Sequence, residues 1–174
     1  MEVRPKIKLQ LTKGDKALET LCLIVLIILW GGTIAGYPGL PEQIPTHFNA
    51  AGEADDYGSK NSIFILPIVA TLVYIGMSVL NQYPHIYNYP TTVTEKNARR
   101  LYTSVTKLMR TLKLIVTVIF AGIVYMTYRS VFMNNDGLGR WFLPTVLGLL
   151  LLPVIIFLVR SNDADQSIAE LDAD

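Results

Sequence analysis

His47, Asn49, Glu53, Asp55, Asp56 and Lys60 fall within fourteen residues of one another, and nowhere else in the chain do chemically able side chains crowd so closely. One imidazole with one or two carboxylates is a plausible divalent-metal set, and a catalytic zinc commonly takes three protein ligands and leaves a fourth position open. His47, Glu53 and Asp55 are the residues that would supply it. Against this, the segment has no helical His-x-x-x-His pair, and Asp55-Asp56-Tyr57-Gly58 is too short for a calcium loop of the EF-hand type. Ser59 and Ser62 lie in no strand-turn-helix elbow of the Gly-x-Ser-x-Gly kind, so nucleophilic catalysis has weaker support still. Acid-base work by Glu53 and Asp55 would depend on a separation that sequence does not give. We favour an internal hydrogen-bond network that fixes the shape of the segment, with a divalent metal as the open alternative and no other cofactor expected. Pro41, Pro45, Gly52 and Gly58 punctuate residues 40 to 60 too often for a long helix or an unbroken strand. A shaped loop or small cap is the expected form.

The elements that must hold this loop are apolar. Of 174 residues, 51% are hydrophobic and 17% charged, and the mean hydropathy is +0.38, too high for an ordinary soluble domain of this length. Spans are predicted at 17–36, 61–80, 112–128 and 141–159, each near the roughly 20 apolar residues that cross about 30 Å of hydrocarbon. Lys113 and Arg129 bound the third span and are expected to snorkel towards the headgroups. Apart from Glu19 in the first turn of span one, the interior of the spans is read as free of ionisable groups, which weakens any ion-pathway reading. Tyr74, Thr117, Tyr125 and Thr145 are left as hydroxyls for hydrogen bonds between helices. Gly32 and Gly36 lie one turn apart and permit close helix approach, and Pro67 and Pro153 are expected to kink their helices. The first apolar run is too long for a secretory h-region, and Thr33-Ile34-Ala35 is only a poor imitation of a cleavage site, so it is read as a retained span. Cys22 stands alone, which excludes an intramolecular disulfide.

Charge orients these spans. Arg4, Lys6, Lys8, Lys13 and Lys16 load the arm at 1–16, and Lys96, Arg99, Arg100, Lys107 and Arg110 load the connection between spans two and three. Both should face the cytoplasm by the positive-inside rule, which places the acidic 40–60 loop outside and both termini inside. The arm is read as flexible or lying on the surface, drawn to anionic lipid and too short a basic run to read nucleic acid. Between spans two and three, His85, Asn88 and Tyr89 belong to a proline-closed turn where they are expected to hydrogen-bond locally, with Asn97 just beyond it. Thr92 and Glu95 stand in capping-box relation, so an amphipathic helix is predicted from near Val93 into span three. The acidic tail at 161–174, with Asp163, Asp165, Glu170, Asp172 and Asp174, is expected to be largely disordered. The fold class is all-α: an integral membrane four-helix bundle with an ordered extracytoplasmic loop between spans one and two and an amphipathic cytoplasmic helix leading into span three.

Leu40-Pro41, Ile44-Pro45-x-His47-Phe48-Asn49, Gly52, Asp55 and Gly58-Ser59-Lys60 resemble the signature loop of a small bacterial membrane domain of unknown function, one that also occurs in SdpI-type immunity proteins. Ala54 stands where many members have proline, and Tyr57 where tryptophan often precedes the glycine. Tyr83-Pro-His85-x-x-Asn88-Tyr-Pro90, with Thr94, Asn97 and Tyr102, is similar to a pattern in single-domain members, so the resemblance covers about residues 17 to 130. It implies a multispan protein of the bacterial inner membrane. In the immunity branch, related proteins protect a producing cell from its own toxic peptide, but the additional helices and motifs of that branch are not found among these residues, so immunity is not implied automatically. Three functional readings follow. The favoured one is a non-enzymatic receptor or immunity-like protein that binds an extracytoplasmic peptide or envelope component through His47, Asn49, Gly52, Asp55 and Lys60, with a cytosolic partner at the basic helix. The others are a metal-dependent membrane enzyme acting on lipid or cell-wall material, and an assembly subunit of a larger membrane complex. Homo-oligomerisation is compatible with all three.

Overall fold

The structure, a computed structural model, describes residues 4–133 and 137–171, with side chains as far as 161. Four helices dominate: α1 Lys13–Gly36, α2 Ile65–Leu80, α3 Ala98–Met133 and α4 Phe142–Leu171. All four are long and apolar enough to cross a membrane once the 3-10 turn leading into α2 is counted, so by length and composition this is a multi-pass membrane protein. The predicted 40–60 loop contains two short strands, β1 Gln43–Phe48 and β2 Ala54–Ser59, paired antiparallel. The mostly helical bundle thus carries a small sheet as well.

α3 is the central helix and packs against each of the other three. α1 starts where Thr12 and Asp15 form a reciprocal capping box, a few residues before the predicted span. At the hairpin end, Leu26, Leu29, Leu40, Ile44, Ile63, Ala70 and Val124 form one buried cluster. Leu40 and Ile44 descend into it from the hairpin segment and seat the sheet on the bundle. Gly36 lets α1 approach α3 closely: a Cβ there would collide with the Tyr128 ring, whose hydroxyl donates to the Thr33 carbonyl at 2.9 Å. Gly32 has open space beside it, so only one member of the predicted glycine pair makes a close approach. Pro67, expected to kink its helix, falls in the first turn of α2, where a missing N–H is best tolerated; Pro153 is inside α4.

α4 packs chiefly on α3, and no residue of its most apolar window is buried within the protein. Its backbone continues as helix to Leu171, through most of the tail expected to be irregular. Ala164, Ile168 and Leu171 recur there at helical spacing, which the reading of charge alone passed over. The proposed pairing of Asp163, Asp165, Glu170, Asp172 and Asp174 with the basic helix lies outside the described side chains.

The arm is also more ordered than its sequence suggests. Arg4 Nη1 donates to the carbonyls of Tyr87 at 2.6 Å and His85 at 3.2 Å, and the guanidinium carbon Cζ lies 5.7 Å from the centre of the Tyr89 ring, while Tyr102 Oη donates to the Pro5 carbonyl at 3.0 Å. Ile7 and Leu9 then pack onto Val93, Ala98, Leu101 and Tyr102. A guanidinium that satisfies two turn carbonyls pins the segment that composition marked as flexible.

Candidate functional site

The hairpin is built from its turn outward. Asn49 N–H donates to the Glu53 carbonyl at 2.9 Å and Gly52 N–H to the Asn49 carbonyl at 2.8 Å, while Asn49 Oδ1 accepts from Ala51 N–H and Glu53 N–H. Asn49 Nδ2 also donates to Glu53 Oε2 at 3.0 Å. An Asn side chain that imitates a backbone turn is what a chain reversal here needs. Gly52 has φ +80°, a left-handed conformation suited to glycine. Its carbonyl accepts from Leu138 N–H at 2.7 Å and from Gly139 N–H at 3.4 Å, both in the connection between α3 and α4. The tip is therefore clamped from the far half of the chain. At the base, Lys60 Nζ donates to Glu42 Oε1 at 2.8 Å and lies 5.5 Å from the Tyr37 ring centre.

Between clamp and base, His47 Nδ1 and Asp55 Oδ1 stand 2.6 Å apart across the two strands, with side chains 67% and 42% exposed. Register shifts on either side of His47 mark a bulge that re-aims this part of β1. Tyr57, opposite Pro45 on β2, is also exposed. An imidazole paired with a carboxylate, and separately a phenol ring, are thus exposed on a braced hairpin. The predicted ligand residues divide in two: His47 and Asp55 form the exposed pair, whereas Asn49, Gly52 and Lys60 build the frame. Of the metal set, Glu53 is bonded to Asn49, and among the described residues no three His, Cys, Asp or Glu side chains are grouped to hold a metal ion.

The second candidate region lies at the other end of the bundle. α2, about 24 Å long at 1.5 Å per residue, separates His47 from His85. Tyr89 Oη donates to the Pro84 carbonyl at 2.8 Å, as a local turn requires, but the His85 carbonyl is taken by Arg4 and its ring meets the Tyr83 edge. Asn88 is exposed. Asn97 pairs reciprocally with Thr94, its Oδ1 accepting from Thr94 N–H at 2.8 Å, so α3 is capped there and not by Thr92 and Glu95. Burial pushes the Tyr87 and Tyr89 phenols above their ordinary range. A phenol raised in the folded state keeps its proton while the unfolded chain loses it near pH 10, so its contribution to stability is complete below pH ~10 and is lost as pH climbs towards the folded value. The melting temperature should accordingly fall more steeply above pH ~10 for the native chain than for Tyr89→Phe; parallel curves would refute the coupling.

Between these ends the structure holds a buried ionic cluster that the sequence reading missed. Lys113, 1% exposed, turns inward: Nζ donates to Glu19 Oε2 and to Ser78 Oγ at 2.8 Å and lies 4.4 Å from the Tyr74 ring centre. It does not snorkel. Arg110 Nη1 is 3.5 Å from Asp15 Oδ1, and its Nε is 3.3 Å from Glu19 Oε1 without hydrogen-bond alignment. One signal was available: Asp15 and Glu19 are four apart on α1, and Arg110 and Lys113 three apart on α3, each pair on one helical face with matching opposite charge. Of the four hydroxyls assigned to interhelical bonds, Thr117 meets another helix, 3.4 Å from Cys22 Sγ; Tyr74 lies under the Lys113 ammonium, Thr145 bonds back to the Trp141 carbonyl, and Tyr125 is exposed.

Comparison with known proteins centres on the hairpin. A family described as "Domain of unknown function (DUF1648)" matches residues 24–71, from the second half of α1 through both strands to the first part of α2. An uncharacterized protein of Archaeoglobus fulgidus is 38% identical over 88 residues, a match that covers 46% of this chain and 48% of the relative. The chain thus spans about half the length of the curated relative it matches. No solved structure matches.

Proposed function

We propose that this chain is a non-enzymatic, receptor-like membrane protein, allied to the SdpI-type immunity proteins, whose hairpin recognises an extracytoplasmic peptide. The observation that carries the reading is the exposed His47–Asp55 pair on a hairpin that is clamped at tip and base and also exposes Tyr57. Such a surface is preorganised, so little ordering entropy opposes binding. Glu53, Asp55 and Asp56 give it an acidic edge, which favours a cationic peptide with an aromatic or apolar residue to set against Tyr57. Positive-inside asymmetry supports placing this surface outside the plasma membrane with both termini in the cytoplasm. The pinned arm and the start of α3 then form a basic inner face for a cytosolic partner.

A susceptible host that expresses the chain should gain resistance to the peptide fraction secreted by cells that naturally carry it. His47→Ala and Asp55→Ala should each lower that resistance on the order of tenfold, as expected for loss of a charged hydrogen-bonding group, with unchanged amounts of protein in the membrane. No gain in resistance, or a gain that both substitutions leave intact, refutes the reading.

A further inference from the structure

Between the first half of α3 and the second half of α4 a cleft of about 390 Å³ opens at the basic end of the bundle. On the α4 side Arg160 lies towards the helix end, with Ile156 and Leu152 one and two turns further into the apolar run; Arg100, Lys107 and Leu108 line the α3 side. Among the described residues no acidic side chain lines the cleft. Ser161, 7% exposed, also faces the cleft, and its Oγ is buried without a hydrogen-bond partner among the described residues. Buried hydroxyls are ordinarily satisfied, so this one marks a place where a polar group of something else belongs.

We propose that this cleft is a binding site for one anionic phospholipid. Lys107, Arg160 and the Ser161 hydroxyl hold the phosphate, and an acyl chain lies along Leu108, Leu152 and Ile156. Three observations converge on that occupant. A lysine and an arginine around an orphaned hydroxyl suit a phosphate oxygen fan. On α4 the apolar wall runs inward from Arg160, which suits a molecule with charge at one end and a chain at the other. α4 buries none of its most apolar window and so leaves room at its seam with α3. Basic pockets between membrane helices are a recurrent seat for anionic headgroups. The inference is independent of what the hairpin binds and of which side of the membrane it faces.

Phe157, a lining residue, provides a reporter. A Phe157→Trp protein is reconstituted in vesicles that contain acyl-brominated phosphatidylglycerol or acyl-brominated phosphatidylcholine, and quenching is corrected for the native tryptophans with the unsubstituted chain. Phosphatidylglycerol should quench the added tryptophan preferentially. Removing the charges with Lys107→Gln and Arg160→Gln should reduce that preference about fivefold for each cation lost. Native mass spectrometry of the chain without the reporter should show one retained phosphatidylglycerol, and fewer in the doubly substituted chain, which guards against distortion by the new tryptophan. Equal quenching by the two lipids overturns the proposal, as does a preference that survives both substitutions. Displacement by millimolar inorganic phosphate overturns it in favour of a free anion. Shielding from both brominated lipids in a dimeric sample overturns it in favour of a second copy of the chain, and a preference that emerges only when residues 162–174 are removed makes the acidic tail the occupant.

Discussion

Replacing Lys113 with methionine should destabilise the protein by about 3 kcal/mol, one of the two largest effects expected of a single substitution in this chain. The apolar stem is retained, so packing changes little. What is lost is the ammonium that sits between Glu19, Ser78 and the Tyr74 face. Glu19 then keeps only Arg110, at 3.3 Å and poorly aligned, and Ser78 Oγ loses its donor. Breaking a buried pair by removing one partner ordinarily costs about 3–5 kcal/mol, and the remaining Arg110 contact argues for the lower end. Removing both partners, with Lys113→Met and Glu19→Leu together, should cost less than the sum of the two single changes, because neither charge is left alone. Unfolding titrations in mixed micelles of all four proteins measure the coupling. A single variant within about 0.5 kcal/mol of the parent would show that the cluster is solvated and not structural.

Gly52→Ala should be nearly as damaging, at about 2–4 kcal/mol, and its effect should appear at a distance. Two causes add. The backbone at φ +80° is disfavoured for an L side chain, and the new Cβ would fall inside the van der Waals envelope of Gly139. Either the turn deforms or the connection between α3 and α4 is pushed away, which breaks the bond from Leu138 N–H to the Gly52 carbonyl. Hydrogen exchange at Leu138 should therefore quicken on the order of a hundredfold, the rate expected if about 3 kcal/mol of local protection is removed. Ala51→Ser, at an exposed position in the same turn, serves as the control and should leave Leu138 unchanged. If Gly52→Ala also leaves Leu138 unchanged, the clamp does not hold in the membrane.

The elements legible in the sequence were those that depend on local pattern. Long apolar runs announce helices because the bilayer demands that every backbone group be bonded within its own segment. Prolines and glycines at 41, 45, 52 and 58 announce a shaped segment, but not that it is a hairpin. β1 buries Ile44 and Pro45 side by side, and β2 is Ala-Asp-Asp-Tyr-Gly-Ser, so neither strand shows the alternation by which strands are recognised. His47 and Asp55 were named as site residues, while their pairing across the strands required the register. Lys113 was placed at the correct level and given the wrong direction, because hydropathy sees a basic residue at a span end and cannot see Glu19, ninety-four positions away, facing it from α1. Arg4 was missed for the same reason: its partners are carbonyls of Tyr87 and His85, which no side-chain motif reports.

The Gly52 clamp also constrains the order in which the protein can be made. Strands β1 and β2 leave the ribosome adjacent and can pair as soon as α1 and α2 have entered the bilayer. The residues that lock their turn, 137–139, do not exist until α3 has been synthesised and threaded across. During that interval the hairpin is formed at its base but open at its tip, and it is finished only when the chain returns to the same side of the membrane. A nascent chain arrested just before Gly137 is therefore a natural intermediate with all of the exposed pair and none of the clamp.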